Sequence, residues 1–124
     1  MAEIRKEIEK QYDVTIMAAS GKITAGQIID AIIDYYEGEF TSNLIWDYTD
    51  ADLTDIANAD LQRISSASRR YTHLRKEGKT AIVVTEPLGF GLGRMYEIIN
   101  EMEENPVRYN IFKTRREALE WMGI

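Results

Sequence analysis

Three glycines at alternate positions mark the stretch Pro87-Leu88-Gly89-Phe90-Gly91-Leu92-Gly93-Arg94-Met95. An apolar run precedes it and a helical pattern follows, so it reads as a glycine-rich turn leading from a strand into a helix. Glycines let the backbone approach an anion closely, and a helix N-terminus offers amide donors at the positive end of its dipole. Arg94 adds a guanidinium fork, Phe90 an apolar tip, and Glu86 a carboxylate at the end of the preceding strand. The candidate ligand- or partner-binding set is therefore Glu86, Phe90, Gly91, Gly93 and Arg94, joined by Asp55 from an acidic connection. The G-x-G-x-G spacing matches neither the dinucleotide nor the P-loop fingerprint, and the same glycines would also serve a tight turn with close helix–sheet packing.

Asp47, Asp50, Asp52 and Asp55 are oxygen donors of the kind a hard cation takes. No glycine bends the chain between them and no glutamate closes a calcium-type loop, so turn formation and helix capping explain them without a metal. His73 is the only histidine, set among basic residues with no acid partner in sequence, and Ser65, Ser66 and Ser68 lie outside any nucleophile elbow. No catalytic residue, metal ligand or cofactor site is predicted. Arg63, Arg69, Arg70, Arg75 and Lys76 are expected on the solvent side of one helix. That face would suit an acidic protein, a phosphate-bearing ligand or an anionic membrane, or would simply balance the nearby aspartates.

The chain of 124 residues, 44% hydrophobic and 29% charged, is predicted to be one domain spanning residues 1–124. It has no cysteine, hence no disulfide, thiolate nucleophile or cysteine-bound zinc. A net charge of −6 argues against a general nucleic-acid binder. Neither a signal peptide nor a transmembrane segment is apparent, and a cytoplasmic location is the default expectation.

The elements that must position these residues follow from periodicity. Residues 3–10 alternate charge with Ile4 and Ile8, as an edge strand does, although their Glu and Lys content also suits a helix. Gln11-Tyr12-Asp13 turns the chain into the strand Val14–Ala18. Thr24 and Gln27 form a capping box that opens a helix carrying Ile28, Ile29, Ile32, Ile33 and Tyr36 on one face and stopping near Gly38. Asn43–Asp47 is a short buried strand, and a helix capped by Asn58 runs to about Arg75. Ala81–Val84 is a strand covered on both faces, and a helix follows through Leu92, Met95, Ile99 and Met102. Val107–Phe112 is the last strand, and a second capping box, Thr114 to Glu117, opens a terminal helix with Ala118, Leu119, Trp121 and Met122. The order β-β-α-β-α-β-α-β-α predicts an α/β fold with a mixed, mainly parallel five-stranded sheet and four helices on its two faces. Ligands in such sheets gather beyond the strands' carboxyl ends, which brings together residues 21–24, 47–55, 85–94 and 113–114. Trp46, Tyr48 and the apolar tail offer a patch for a homodimer.

This element order, the segment Ala81-Ile82-Val83-Val84…Phe90-Gly91-Leu92-Gly93-Arg94-Met95-Tyr96 and the ending Phe112-Lys113-Thr114…Glu117-Ala118-Leu119-Glu120-Trp121-Met122 resemble the SpoIIAA-like, or STAS-like, family related to anti-sigma-factor antagonists. The resemblance implies a mixed sheet with four helices and a regulatory or protein-interaction role rather than catalysis. In the antagonists an aspartate followed by a phosphorylatable serine begins the second helix. The matching stretch here is Thr54-Asp55-Ile56-Ala57-Asn58, where Asp55 is kept but Ile56 and Ala57 occupy the hydroxyl positions. Some relatives are similar to Sec14-type lipid-transfer domains, which keeps open an apolar ligand. Two functions stand beside each other: a non-enzymatic interaction module with a protein partner, and a binding protein for a small anionic, acyl or lipid ligand at residues 87–95.

Overall fold

The computed structural model describes residues 2–124. Five strands and four α-helices occur in the predicted order: β1 (Glu3–Glu9), β2 (Val14–Lys22), α1 (Ala25–Glu37), β3 (Asn43–Asp52), α2 (Asn58–Arg69), β4 (Lys79–Val83), α3 (Pro87–Met102), β5 (Arg108–Phe112) and α4 (Arg115–Trp121). The strands lie side by side in sequence order; β1 runs antiparallel to β2, and β2 through β5 are parallel. Right-handed crossovers that always step in the same direction must all pass over one face. Accordingly α1, α2 and α3 share a face, with Ile28, Ile32, Leu61, Ile64 and Leu92 in one core over Met17, Leu44 and Trp46. The other face belongs to α4, whose Ala118 and partners Leu119, Trp121 and Met122 cover Val14, Ile16, Ile45, Ala81 and Val83.

Local chemistry accounts for the element ends. β1 is a strand rather than a helix because its alternation seats Ile4 and Ile8 inward while Glu3, Arg5, Glu7 and Glu9 face water. Asp13 takes a left-handed conformation at the end of a short 3-10 turn, and its carboxylate accepts the Ser42 amide at 3.0 Å. The Thr24–Gln27 capping box is present in both directions, and Gly38 caps the C-terminus of α1. Thr114 caps α4 by accepting the Glu117 amide at 3.1 Å.

Several sequence expectations are corrected. The glycine stretch is not a turn: α3 begins at Pro87, whose fixed φ suits a first helical position, so all three glycines are helical. Two of them stay glycine for packing reasons. A Cβ on Gly89 would lie 2.9 Å from Val84, and one on Gly93 would lie 3.2 Å from Ile111, so the helix rests directly on the sheet there. Asn58 does not cap α2. Ala57 holds that position, and the Asp60 carboxylate reaches back to its amide at 2.8 Å. α2 stops at Arg69, and a separate 3-10 turn, Thr72–Arg75, follows. β3 is ten residues long and extends through the aspartates as far as Asp52.

Arg75 is not on the basic face but buried, at 3% exposure. Its guanidinium forks onto the Thr80 hydroxyl at 2.7 and 3.0 Å, donates to the Lys79 carbonyl at 3.3 Å, and lies over the Tyr35 and Tyr36 rings. Planar, delocalised and weakly hydrated, it is the cation that such a site tolerates. Arg63 and Arg69 are neutralised in place, pairing with Asp60 at 3.0 Å and Glu103 at 2.9 Å. Trp46 is core and cannot supply an exposed dimer patch. The α2–α3 seam holds a polar cluster: Ser65 donates to Glu103 at 2.9 Å, and Asn105 donates to the buried Asn100 at 2.8 Å.

Candidate functional site

The site arises from a mismatch of strand lengths. β4 pairs with β3 only from Asn43 to Asp47, whereas β3 continues to Asp52 against Ser20–Lys22 of β2. Residues 48–52 therefore stand beyond the end of β4 and form one wall. The first turn of α3, reached directly from β4 through Thr85 and Glu86, forms the other. Between them lies an open cleft of about 310 Å³. Tyr48, Leu53, Leu88 and Gly89 make its apolar surface, and Asp52, Thr54, Thr85 and Glu86 its polar rim.

Two Asp-x-Thr units shape this wall. The Asp47 carboxylate accepts the Thr49 amide at 3.0 Å and the Thr49 hydroxyl at 2.5 Å; Asp52 accepts the Thr54 amide at 2.9 Å and its hydroxyl at 2.7 Å. Such closed side-chain turns fix the backbone at each end of the overhang. Asp47 also receives the Arg115 guanidinium at 2.5 Å, which ties β3 to the start of α4. Burial works to raise the Asp47 carboxyl, but the Thr49 and Arg115 donors outweigh it and hold it below its ordinary value. The Asp52 carboxyl is likewise held down, chiefly by the Thr54 hydroxyl and amide. Asp52 therefore keeps a negative charge on the rim at neutral pH.

Behind the cleft, and sharing Tyr48, Leu53, Val84 and Gly89 with it, is an apolar cavity of about 60 Å³ between the three-helix layer and the sheet. Ile32, Trp46, Ile64, Leu92 and Tyr96 line it. Burial raises the Tyr48 and Tyr96 phenols, so both remain neutral and able to donate a hydrogen bond. A cavity of about 150 Å³ accommodates benzene. The inner space alone is thus too small for a ring, and only the tip of an apolar group can enter without movement of Tyr48 or Leu53.

Of the residues singled out in sequence, Glu86 lines the cleft as the N-cap of α3, with no side-chain capping bond. Asp55 stands outside the cleft, about half exposed, with Lys22 3.7 Å away. Phe90 is half-buried, and Gly93 lines the inner cavity. Gly91 is exposed with open space around it, and Arg94 is solvent-facing, 3.8 Å from Glu97 on its own helix. Arg94 therefore neither enters a pocket nor contacts the Asp47–Asp55 segment. Tyr48, Leu53, Thr54 and Thr85 fall in the segments expected at this end of the sheet but were not among the candidate site residues, and the repeated Asp-x-Thr was the signal that could have found the wall. His73 is exposed on the 3-10 turn. Among the described residues no group of three acidic, histidine or cysteine side chains could hold a metal ion, and no helix is long and apolar enough to cross a membrane.

No protein-family model matches the sequence, and no curated protein matches it. Solved structures do. An anti-sigma factor antagonist from Mycobacterium paratuberculosis superposes with a TM-score of 0.66 at 17% identity, covering 100% of this chain and 96% of that one. An uncharacterized DUF3478-family protein with a SpoIIAA-like fold, from Shewanella loihica PV-4, superposes with a TM-score of 0.59 at 20% identity, covering 98% and 93%. The chain has the SpoIIAA-like, STAS-like fold from end to end.

Proposed function

We propose that this protein is a non-enzymatic regulatory module that binds another protein at the carboxyl-end cleft. The observation that carries the reading is the β3 overhang, which leaves an open cleft with an apolar floor and an acidic rim of Asp52 and Glu86. The full-length likeness to an anti-sigma factor antagonist supports a protein as the partner. Cleft chemistry suits a segment with an apolar residue for the Leu53–Leu88 floor and a basic residue for the rim. Asp55 and the half-buried Phe90 border the same end of the sheet and extend the contact. Ile56 is buried and Ala57 caps α2, so contact in this reading is not governed by a phosphate at the antagonists' serine position. Quantitative affinity capture with Thr54→Arg and Glu86→Arg tests the proposal. Loss of the wild-type partner with both variants supports it, and equal capture contradicts it.

A second reading rests on the inner cavity: the protein binds a small ligand whose apolar tip passes Tyr48 into the core and whose polar end stays at the rim. With carboxylates there and Arg94 turned away, the polar end would be neutral or cationic rather than anionic. Thermal shift against fatty acids, acyl-CoA and alkyl amines separates the two. A ligand at a hundred times its Kd adds about 2.7 kcal/mol to stability. Stabilisation only by the carboxylates would contradict the charge argument.

A further inference from the structure

One face of α3 is apolar yet faces water. Leu88, Met95, Ile98 and Met102 are between 38% and 79% exposed. With Gly91 they recur at alternating spacings of three and four, the seam of a two-helix contact. The stripe runs the whole of this 16-residue helix. Gly91 sits within it and has no intramolecular reason to be glycine. An added Cβ would meet nothing within 4 Å, unlike Gly89 and Gly93, which are held by Val84 and Ile111. Glycine in a helix interior weakens the helix, so an unconstrained one there calls for another explanation.

We propose that α3 is a self-association surface that packs against α3 of a second copy as an antiparallel pair about a two-fold axis. The charges select this occupant and this direction. When Met95 faces Ile98 of the second copy, Gly91 faces Met102, so the most exposed apolar side chain of the stripe enters the gap left by the missing Cβ. In the same register Arg94 stands beside Glu101 of the second copy, and symmetry makes that pair twice. Within one molecule Arg94 reaches only Glu97, at 3.8 Å on the surface, and Glu101 is exposed. Parallel pairing would set Arg94 against Leu92 or Ile99, which are turned into the core and offer it no charge. The contact is distinct from the carboxyl-end cleft, sharing only Leu88 with it.

Sedimentation equilibrium from about 10 µM to about 1 mM tests the proposal over the range of a weak dimer. Wild type should shift from monomer to dimer. Ile98→Glu should remain monomeric while keeping the wild-type circular dichroism spectrum and melting temperature. Arg94→Glu, which replaces two attractions by two repulsions, should raise Kd about tenfold, and Arg94→Glu with Glu101→Arg should restore it. A wild-type monomer throughout, or a dimer indifferent to Ile98→Glu, overturns the surface. An unchanged Kd in Arg94→Glu overturns the antiparallel register.

Discussion

Replacing each α3 glycine by alanine distinguishes a helix laid on the sheet from a glycine-rich turn. None of the three has a positive φ, so alanine is compatible with the backbone at every one. At Gly91 the new methyl meets open space, and only the helix propensity changes, a gain of about 0.5–1 kcal/mol. At Gly89 the methyl lies 2.9 Å from both Cβ and Cγ1 of Val84, a buried β-branched side chain with little freedom to rotate. Overpacking of that kind costs about 1–3 kcal/mol, which outweighs the propensity gain and leaves a net loss of about 1 kcal/mol. At Gly93 the contact is 3.2 Å to Cδ1 of Ile111, the flexible end of a half-buried chain, so the two effects nearly cancel. The predicted order of stability is Gly91→Ala above wild type, Gly93→Ala close to it and Gly89→Ala below. The extremes should differ by about 2 kcal/mol, or about 6–10 °C in Tm for a chain of this size. Urea unfolding at about 10 µM, where a weak dimer is dissociated, measures this through the midpoint at constant slope. Equal stabilisation by all three substitutions, or destabilisation by Gly91→Ala, would refute the reasoning.

Other consequences follow from single contacts. The folded Asp47 carboxyl is depressed below its ordinary 3.8, so its contribution to stability is present above that pH and is lost as pH falls through the folded value. Asp47→Asn should cost about 1–2 kcal/mol at pH 7, discounted because Arg115 is partly exposed, and should flatten the acid limb of the stability profile below about pH 4. Arg75→Met should lie within about 1 kcal/mol of wild type in urea unfolding, because it keeps the packing and removes a buried charge. Arg75→Ala should cost about 2–4 kcal/mol by leaving a cavity against Tyr35 and Tyr36. Thr24→Ala, which removes half of the α1 capping box, should cost about 1 kcal/mol by the same measurement.

The fold was legible where one local rule acted without a rival. The Thr24 box and the Ala81–Val84 run each named their element, whereas alternation in β1 had to outweigh a Glu and Lys content that also suits a helix, and the element order specified the sheet. What escaped depended on tertiary contact. Gly89, Gly91 and Gly93 look alike in sequence, yet Val84 and Ile111 constrain two of them and nothing constrains the third. Arg75 reads as one more cation in a basic helix; only the break after Arg69 turns it inward onto Thr80 and the two tyrosines. The cleft was legible only as the carboxyl end of the sheet. Its wall exists because β3 outruns β4, and no local pattern carries the relative lengths of two strands whose paired residues, such as Asn43 and Lys79, are 36 positions apart in the chain. Asp55 and Glu86 lie at the carboxyl end of the sheet, whereas Arg94, two turns along α3, faces solvent away from it.

In the proposed function a protein partner docks in the cleft between residues 48–54 and the first turn of α3. The most direct test is affinity capture from a lysate of the native host with wild type, Thr54→Arg, Glu86→Arg and a control, Glu120→Lys, on α4 across the sheet. Wild type and the control should retain one partner that both cleft variants lose, with all four proteins melting alike. Equal retention by the cleft variants, or loss only with the control, would contradict docking in the cleft.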